Sequence, residues 1–423
     1  MPRSYDNAVP PVGALLRRYD GPGEPLTCEP VTQGLLNRGY RLATTRGAYF
    51  LKHHLDGDPE AIARQHRATR LLEALGVPVA PAVADAGGDT VAVIGGHCYA
   101  LHPWVDGRHR DGAHLSTLES HRLGALLGLV HNGLEQVMSH QDQRPGGRTG
   151  TWAPPPEYQR GPLAGLPGHQ RGARERPPGH HQEPRNGGPG GRGGPGGRPE
   201  PCGPCALRTE TGGPYALRTE SRGRPDGRAE SGGAYESADP RETFSLIDEL
   251  LALIRAAGPR DSFDLLAEHR LLERRTMLEL HADLRPPAAS AGGWVHGDFH
   301  PLNLLYRGAE PAAIVDWDRL GVQPRAEEAV RAAAIFFVRP EGALELPKVR
   351  AYARAYRHAV GADTSELDAA VHRVWWERLN DFWILRWRYQ RHDRRADPQF
   401  AAVSALAVWW TREYEAVREA FAN

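Results

Sequence analysis

Between Trp294 and Tyr306 the chain reads WVHGDFHPLNLLY, which places His296, Asp298, His300 and Asn303 within eight residues of an otherwise apolar run. Polar groups in such a run need partners once water is removed, so a cluster this dense points to the handling of charge. The order is a histidine, one residue, an aspartate, four residues and an asparagine, a spacing suited to phosphoryl transfer from a nucleotide. That chemistry requires a group to orient the attacking hydroxyl, ligands for magnesium, a cation on the phosphates and a cover over them. Asp298 is the candidate for the first task. Asn303 offers one oxygen ligand. Asp316, in AIVDWD beyond the turn RGAEP, offers another. Magnesium prefers hard oxygen donors of this kind, with phosphate oxygens and water filling the rest of its shell.

These residues need a scaffold, and the surrounding pattern supplies one. GLLNRGYRLATTRGAYFLKHH alternates as strands do, with a turn at Thr45-Arg46-Gly47 between residues 40–44 and 48–53. DPEAIARQHRATRLLEALG then carries an Asp58 cap, Pro59 at the first helical position, apolar residues at helical spacing and a stop at Gly76. Further strands are expected at 79–84, at 90–94 and in HCYALHPWV, giving a small antiparallel sheet with one helix. Beyond Val105-Asp106-Gly107 the pattern becomes helical, with STLESHRLGALLGLVHNGL, residues 244–257, residues 261–284 and most of the chain after Pro324. Short strands return only at 304–306 and 313–315. The expected architecture is α+β and bilobal. Its divisions are a β-rich nucleotide-binding lobe over 1–101, a connector and first helix over 102–140, a Gly/Pro-rich insertion over 141–240, and a helical catalytic and substrate lobe over 241–423.

Composition narrows the partners. The 423 residues carry 52 basic and 52 acidic side chains, so the net field favours neither nucleic acid nor an anionic membrane. The N-terminus lacks the apolar core of a secretory signal, and no window approaches a membrane span, which makes the cytoplasm the expected location. The insertion contains RNGGPGGRGGPGGRPEPCGPC, too rich in glycine and proline to repay its ordering entropy, and is expected to be disordered. Cys202 and Cys205 within it have redox spacing but neither the strand nor the helix that such a dithiol needs.

HGDFHPLNLLY followed by IVDWDRLG resembles the aminoglycoside phosphotransferase and choline kinase superfamily, small-molecule relatives of the protein kinases. Both the glycine after His296 and the DW after Val315 agree with that group. The resemblance spans roughly residues 30–140 and 240–400. It implies a protein-kinase-like fold, ATP and Mg2+ as cofactors, and a small-molecule acceptor such as an amino acid of the homoserine type, a sugar, an amino alcohol or an aminoglycoside. Position by position, it makes Asp298 the catalytic aspartate, Asn303 and Asp316 the metal ligands, and His296 a structural support of the loop. Lys52, at the end of YFLK, becomes the lysine on the α- and β-phosphates. GLLNRG, with Gly34, Asn37 and Gly39, becomes the cover, and YALHPW, with Tyr99, Leu101 and Trp104, becomes the connector whose backbone hydrogen-bonds adenine.

One position departs from the pattern. The helix residue that should be a glutamate paired with Lys52 is Gln65, and Glu60 lies a little more than one turn earlier. This departure supports a rival reading, an inactive nucleotide-binding relative that acts as an interaction module. Asp318 is open between a surface or indirect role and metal contact. Glu327 and Glu328 are explained by a favourable dipole at a helix start. The tryptophans of VWWERLNDFWILRWRYQRHDRR recur at helical spacing and are read as core. Its arginines (Arg386, Arg388, Arg391, Arg394 and Arg395) tilt the acceptor toward a carboxylate-bearing or neutral molecule. The sequence leaves the oligomeric state open.

Overall fold

The structure, a computed structural model, describes residues 10–31, 37–55, 57–142, 234–256, 258–290 and 292–423. Gly34, the Cys202/Cys205 pair and most of the expected insertion lie outside the described residues.

The chain opens with the short helix α1 (Val12–Leu16), followed by strands β1 (Pro25–Val31), β2 (Arg38–Thr44) and β3 (Gly47–His54). Helix α2 (Pro59–Ala74) comes next, then β4 (Ala92–Ile94) and β5 (His97–Pro103). The five strands form one antiparallel sheet in the order β1-β2-β3-β5-β4. Alternation decides which residues face which way. Leu51, Tyr99 and Leu101 turn to one face and pack with Leu15, Leu16, Tyr19 and Leu42. Phe50, Lys52, His54 and His102 turn to the other and line a cleft. Helix α2 begins as expected: the Asp58 carboxylate accepts the N–H groups of Glu60 and Ala61 at 3.1 and 3.3 Å, satisfying donors that have no partner within the helix. Its end is closed by Gly76, in left-handed conformation at φ +85°.

Two expectations for this lobe are corrected. Residues 79–84 do not form a strand: Val79 makes one isolated parallel bridge to Ile314, and the Val83 N–H donates to Leu101 O at 2.7 Å. Pro78 and Pro81 have no N–H to contribute to a ladder. The fifth strand is instead β1, whose prolines and mostly exposed side chains suit an edge.

The second lobe starts with α3 (Thr117–Asp142), β6 (Ala234–Tyr235), α4 (Pro240–Ala256), α5 (Ser262–Leu280) and the short strands β7 (Ala289–Ser290) and β8 (Gly293–Val295). The hairpin β9 (Leu304–Arg307) and β10 (Glu310–Ile314) follows, then β11 (Gly321–Gln323), paired with β8. Six helices complete the lobe: α6 (Arg325–Phe336), α7 (Leu346–Val360), α8 (Thr364–Asn380), α9 (Trp383–Gln390), α10 (Phe400–Arg412) and α11 (Tyr414–Ala422). Their shared core includes Trp375, Trp376, Trp383, Trp387 and Trp410, so the aromatic run at the C-terminal end is packing. Helices α3 and α7 meet closely at Gly124, where a Cβ would lie 2.1 Å from Tyr352 O. Gly124→Ala therefore forces two backbones apart. The expected cost is about 1–3 kcal/mol, the usual range for overpacking, read as a lower midpoint in urea. An unchanged midpoint would show that the α3–α7 contact is looser than this.

Candidate active site

The catalytic-loop candidates lie between β8 and β9, and Asp316 follows β10, so two short strand pairs bring them to one place. His296 is fully buried. Its Nδ1 accepts the Asp298 N–H at 3.2 Å, and its Nε2–H donates to Val315 O at 3.1 Å. One neutral ring thus ties the loop to the segment that carries Asp316. Burial pushes the imidazole pKa down, against the pull of Glu328 and Asp298, which keeps Nδ1 an acceptor. The Asn303 side-chain amide donates to Asp298 O at 2.8 Å, leaving Oδ1 as its oxygen for a cation. Asn303 O also accepts the Val315 N–H at 2.9 Å. Asp316 is held in left-handed conformation at φ +62°, uncommon for a residue with a side chain and a mark of local constraint.

Across the cleft, Lys52 Nζ lies 2.7 Å from Asp316 Oδ1 and 2.7 Å from Asp318 Oδ1. These carboxylates hold the ammonium charged even though burial opposes it. Burial would also raise the Asp298 carboxyl, but His300, with Nε2 at 3.6 Å, holds it below its ordinary value. Asp298 is thus ionised and able to accept a hydrogen bond from a hydroxyl.

Lys52, Asp298, Asn303 and Asp316 line a single cleft of about 560 Å³ between the lobes, together with Asn37, Gly39 and Trp104. Tyr99 and Leu101 are not brought there. Their side chains belong to the core on the other face of the sheet, both residues pair with β3, and Leu101 O accepts from Val83, outside the sheet. The part of the connector that lines the cleft runs from His102 through Val105. Neither Gln65 nor Glu60 is bonded to Lys52: the Gln65 amide donates to Asp318 O at 3.1 Å, and Glu60 is exposed at the start of α2. None of the five C-terminal arginines lines the cleft. Arg388 is buried and paired with Asp261 at 2.7 Å, Asp264 at 3.1 Å and Asp397, and Arg395 pairs with Asp393 at 2.7 Å. Arg388 and Arg395 are thus engaged in ion pairs of their own lobe, and the expectation that these arginines favour a carboxylate-bearing acceptor loses its support.

The family described as "Phosphotransferase enzyme family" matches residues 27–178 and 198–369, well over half of the chain. The chain belongs to that family. No curated protein matches this phosphotransferase. Among solved structures, it is similar to a spectinomycin phosphotransferase in complex with ADP and spectinomycin, at 12% identity and TM-score 0.52, with 94% of this chain and 96% of that one covered. An aminoglycoside phosphotransferase from Alicyclobacillus acidocaldarius aligns at 12% identity and TM-score 0.49, covering 99% of both chains. An amicoumacin kinase in complex with AMP-PNP, Ca2+ and Ami aligns at 15% identity and TM-score 0.48, covering 96% and 92%. The family places this chain among small-molecule kinases with the bilobal, kinase-like fold.

One residue of the phosphotransferase's site was assigned a lesser role from sequence. Glu328, in the first turn of α6, is buried, so a favourable helix dipole does not by itself account for it. Its carboxylate accepts the backbone N–H groups of His296, at 3.2 Å, and Gly297, and the Nε2–H of His131 at 2.7 Å. His131 Nδ1 in turn accepts from Tyr356 O–H at 2.9 Å. Glu328 thus clamps the loop that carries Asp298 and Asn303 to α3 and α7. A sequence signal existed: AVRAAAIF leaves α6 almost no polar face, and a carboxylate on a helix buried nearly all round must find partners. Gly297, between the clamped residues, sits at φ +82° with Arg319 O only 2.2 Å from where a Cβ would be, so glycine is required there.

Proposed function

We propose that this phosphotransferase is an ATP- and Mg2+-dependent kinase that moves the γ-phosphate to a hydroxyl of a small molecule: an amino acid of the homoserine type, a sugar, an amino alcohol or an aminoglycoside. The observation that carries the reading is the convergence of Lys52, Asp298, Asn303 and Asp316 on one cleft from three separate stretches of chain: β3, the loop before β9 and the segment after β10. The cation fits the residues present. Asn303 Oδ1 and the Asp316 carboxylate are hard oxygen donors, and Asp316, with 46% of its side chain exposed, opens to the cleft where phosphate oxygens would complete the shell. When bound, Mg2+ would neutralise charge on the β- and γ-phosphates.

The remaining roles fall to the chain itself. Lys52 binds the α- and β-phosphates. The backbone of the His102–Val105 connector receives the base, and Asn37 and Gly39 cover the phosphates from the start of β2. Asp298 orients the acceptor hydroxyl toward the γ-phosphate and holds its proton. Catalysis of this kind comes mainly from positioning.

Two measurements test the reading. Millimolar ATP with Mg2+ should stabilise the protein against heat, by about 2.7 kcal/mol where the nucleotide stands at a hundred times its Kd. With a panel of homoserine, choline, sugars and aminoglycosides, ADP should be released for at least one acceptor. A protein whose melting is indifferent to MgATP, and which releases no more ADP than its Asp298→Asn variant, is not a kinase.

A further inference from the structure

The counter-ions of Lys52 come from an unexpected place. Helix α2, which packs behind the cleft, presents Gln65 there, and among the described residues no carboxylate of α2 is bonded to Lys52. Both of its carboxylate partners come instead from the segment after β10, Asp316 and Asp318, each at 2.7 Å. The two differ in exposure: the Asp316 side chain is 46% exposed and that of Asp318 25%. The more sheltered carboxylate is the less screened partner, and on the reading above Asp316 is committed to the cation. Asp318 is also tied on three further sides. Its second oxygen accepts from the Asn37 amide, and Asn37 Oδ1 accepts the Leu55 N–H at 3.2 Å. Its backbone O accepts from Gln65, and His54 Nδ1 lies 4.0 Å from its Oδ1.

We propose that Asp318 is the positioning residue that holds Lys52 on the nucleotide phosphates, supplying from the β10–β11 segment the negative charge that α2 lacks. Lysine is a point charge on a flexible four-carbon stem, so a fixed carboxylate at hydrogen-bond distance decides where its ammonium sits. Gln65 takes part indirectly, holding the Asp318 backbone from α2. Asn37 links the same carboxylate to the start of β2, so that one side chain joins the lysine, the cover and the metal-side segment. The proposal rests on the ATP reading of the cleft. It differs from the other plausible task for Asp318, direct ligation of a cation.

The test is a charge transplant. MgATP binding is measured by calorimetry for the wild type, Asp318→Asn, Gln65→Glu and the double variant, and each is titrated with Mg2+ at fixed ATP. Asp318→Asn keeps the shape and removes the charge, and its folding is checked by thermal melting. The expected result is a loss of affinity on the order of 10- to 100-fold in Asp318→Asn. The half-saturating Mg2+ concentration stays within about twofold of the wild type, and at least half of the loss, on a logarithmic scale, is recovered when Gln65→Glu restores a carboxylate from α2. A lost Mg2+ response with no recovery in the double variant makes Asp318 a cation ligand and overturns the proposal. Unchanged affinity in Asp318→Asn also overturns it. If the wild type itself fails to bind MgATP, the nucleotide reading fails first and the proposal with it.

Discussion

Asp298→Asn is expected to lower kcat by about 10²–10⁴-fold, the usual worth of a positioned general base or hydroxyl-orienting group, while MgATP binding changes by less than about threefold. The asymmetry follows from the geometry. The Asp298 backbone O accepts from Asn303 and its N–H donates to His296, and both contacts survive the substitution, so the loop and the cation side of the cleft stay in place. Only the carboxylate is lost. Its ionised state in the native protein reflects His300 outweighing the burial penalty, and an amide can accept a hydrogen bond from the acceptor hydroxyl but cannot hold its proton. The check is steady-state kinetics on whichever acceptor supports turnover, alongside calorimetric nucleotide binding. A variant retaining a tenth or more of wild-type kcat would mean that positioning of the nucleotide alone drives the reaction.

Glu328→Gln is expected to damage both stability and turnover without touching any group that contacts substrate. Every partner of the native carboxylate is a donor: the N–H groups of His296 and Gly297 and the Nε2–H of His131. An amide must point its own N–H2 at one of them, leaving buried donors facing each other in a fully enclosed site. Breaking a buried charged network by changing one partner costs roughly 3–5 kcal/mol, which for a chain of this size lowers Tm by something like 5–15 °C at a few degrees per kcal/mol. The pH dependence carries a sign. Burial opposes ionisation of Glu328, but the hydrogen bond from His131, with that from the Gly297 N–H, holds its pKa below the ordinary carboxylate value. Its contribution to stability is therefore complete above that value and is lost as the pH falls through the depressed folded value. Melting temperatures measured from neutral pH to pH 3 should fall more steeply for the wild type than for Glu328→Gln. Parallel curves would mean that the network does not depend on the ionised carboxylate.

Local patterning made much of the molecule legible. The β2–β3 hairpin, the Asp58-capped helix, the loop from His296 to Asn303 and the following hairpin are each specified by short-range features: alternation, a cap, a glycine stop, a turn. Their order along the chain identified a kinase-like fold and supplied the candidate site residues. Local readings failed where a residue's meaning depends on what arrives from elsewhere. The short apolar run 79–84 is expected as a strand, yet Pro78, Pro81 and a single bridge to Ile314 keep it outside the sheet. The side chains of Tyr99 and Leu101, to which the connector reading gave no task, face the core because that side of the sheet packs against α1.

The charges show the same division most sharply. Sequence offered a lysine, two aspartates and an asparagine as candidates: Asp298, Asn303 and Asp316 by intervals that span one loop and one hairpin, and Lys52 by its place ahead of the helix in chain order. Which carboxylate answers Lys52, which arginines are locked within their own lobe, and that Glu328 grips the loop carrying Asp298 and Asn303 were decided by tertiary structure alone. Lys52 meets Asp318 across 266 positions of chain, Arg388 meets Asp261 across 127 and Glu328 meets His296 across 32, and the strength of each pairing is set by burial and by the neighbouring charges, neither of which exists until distant segments have packed together.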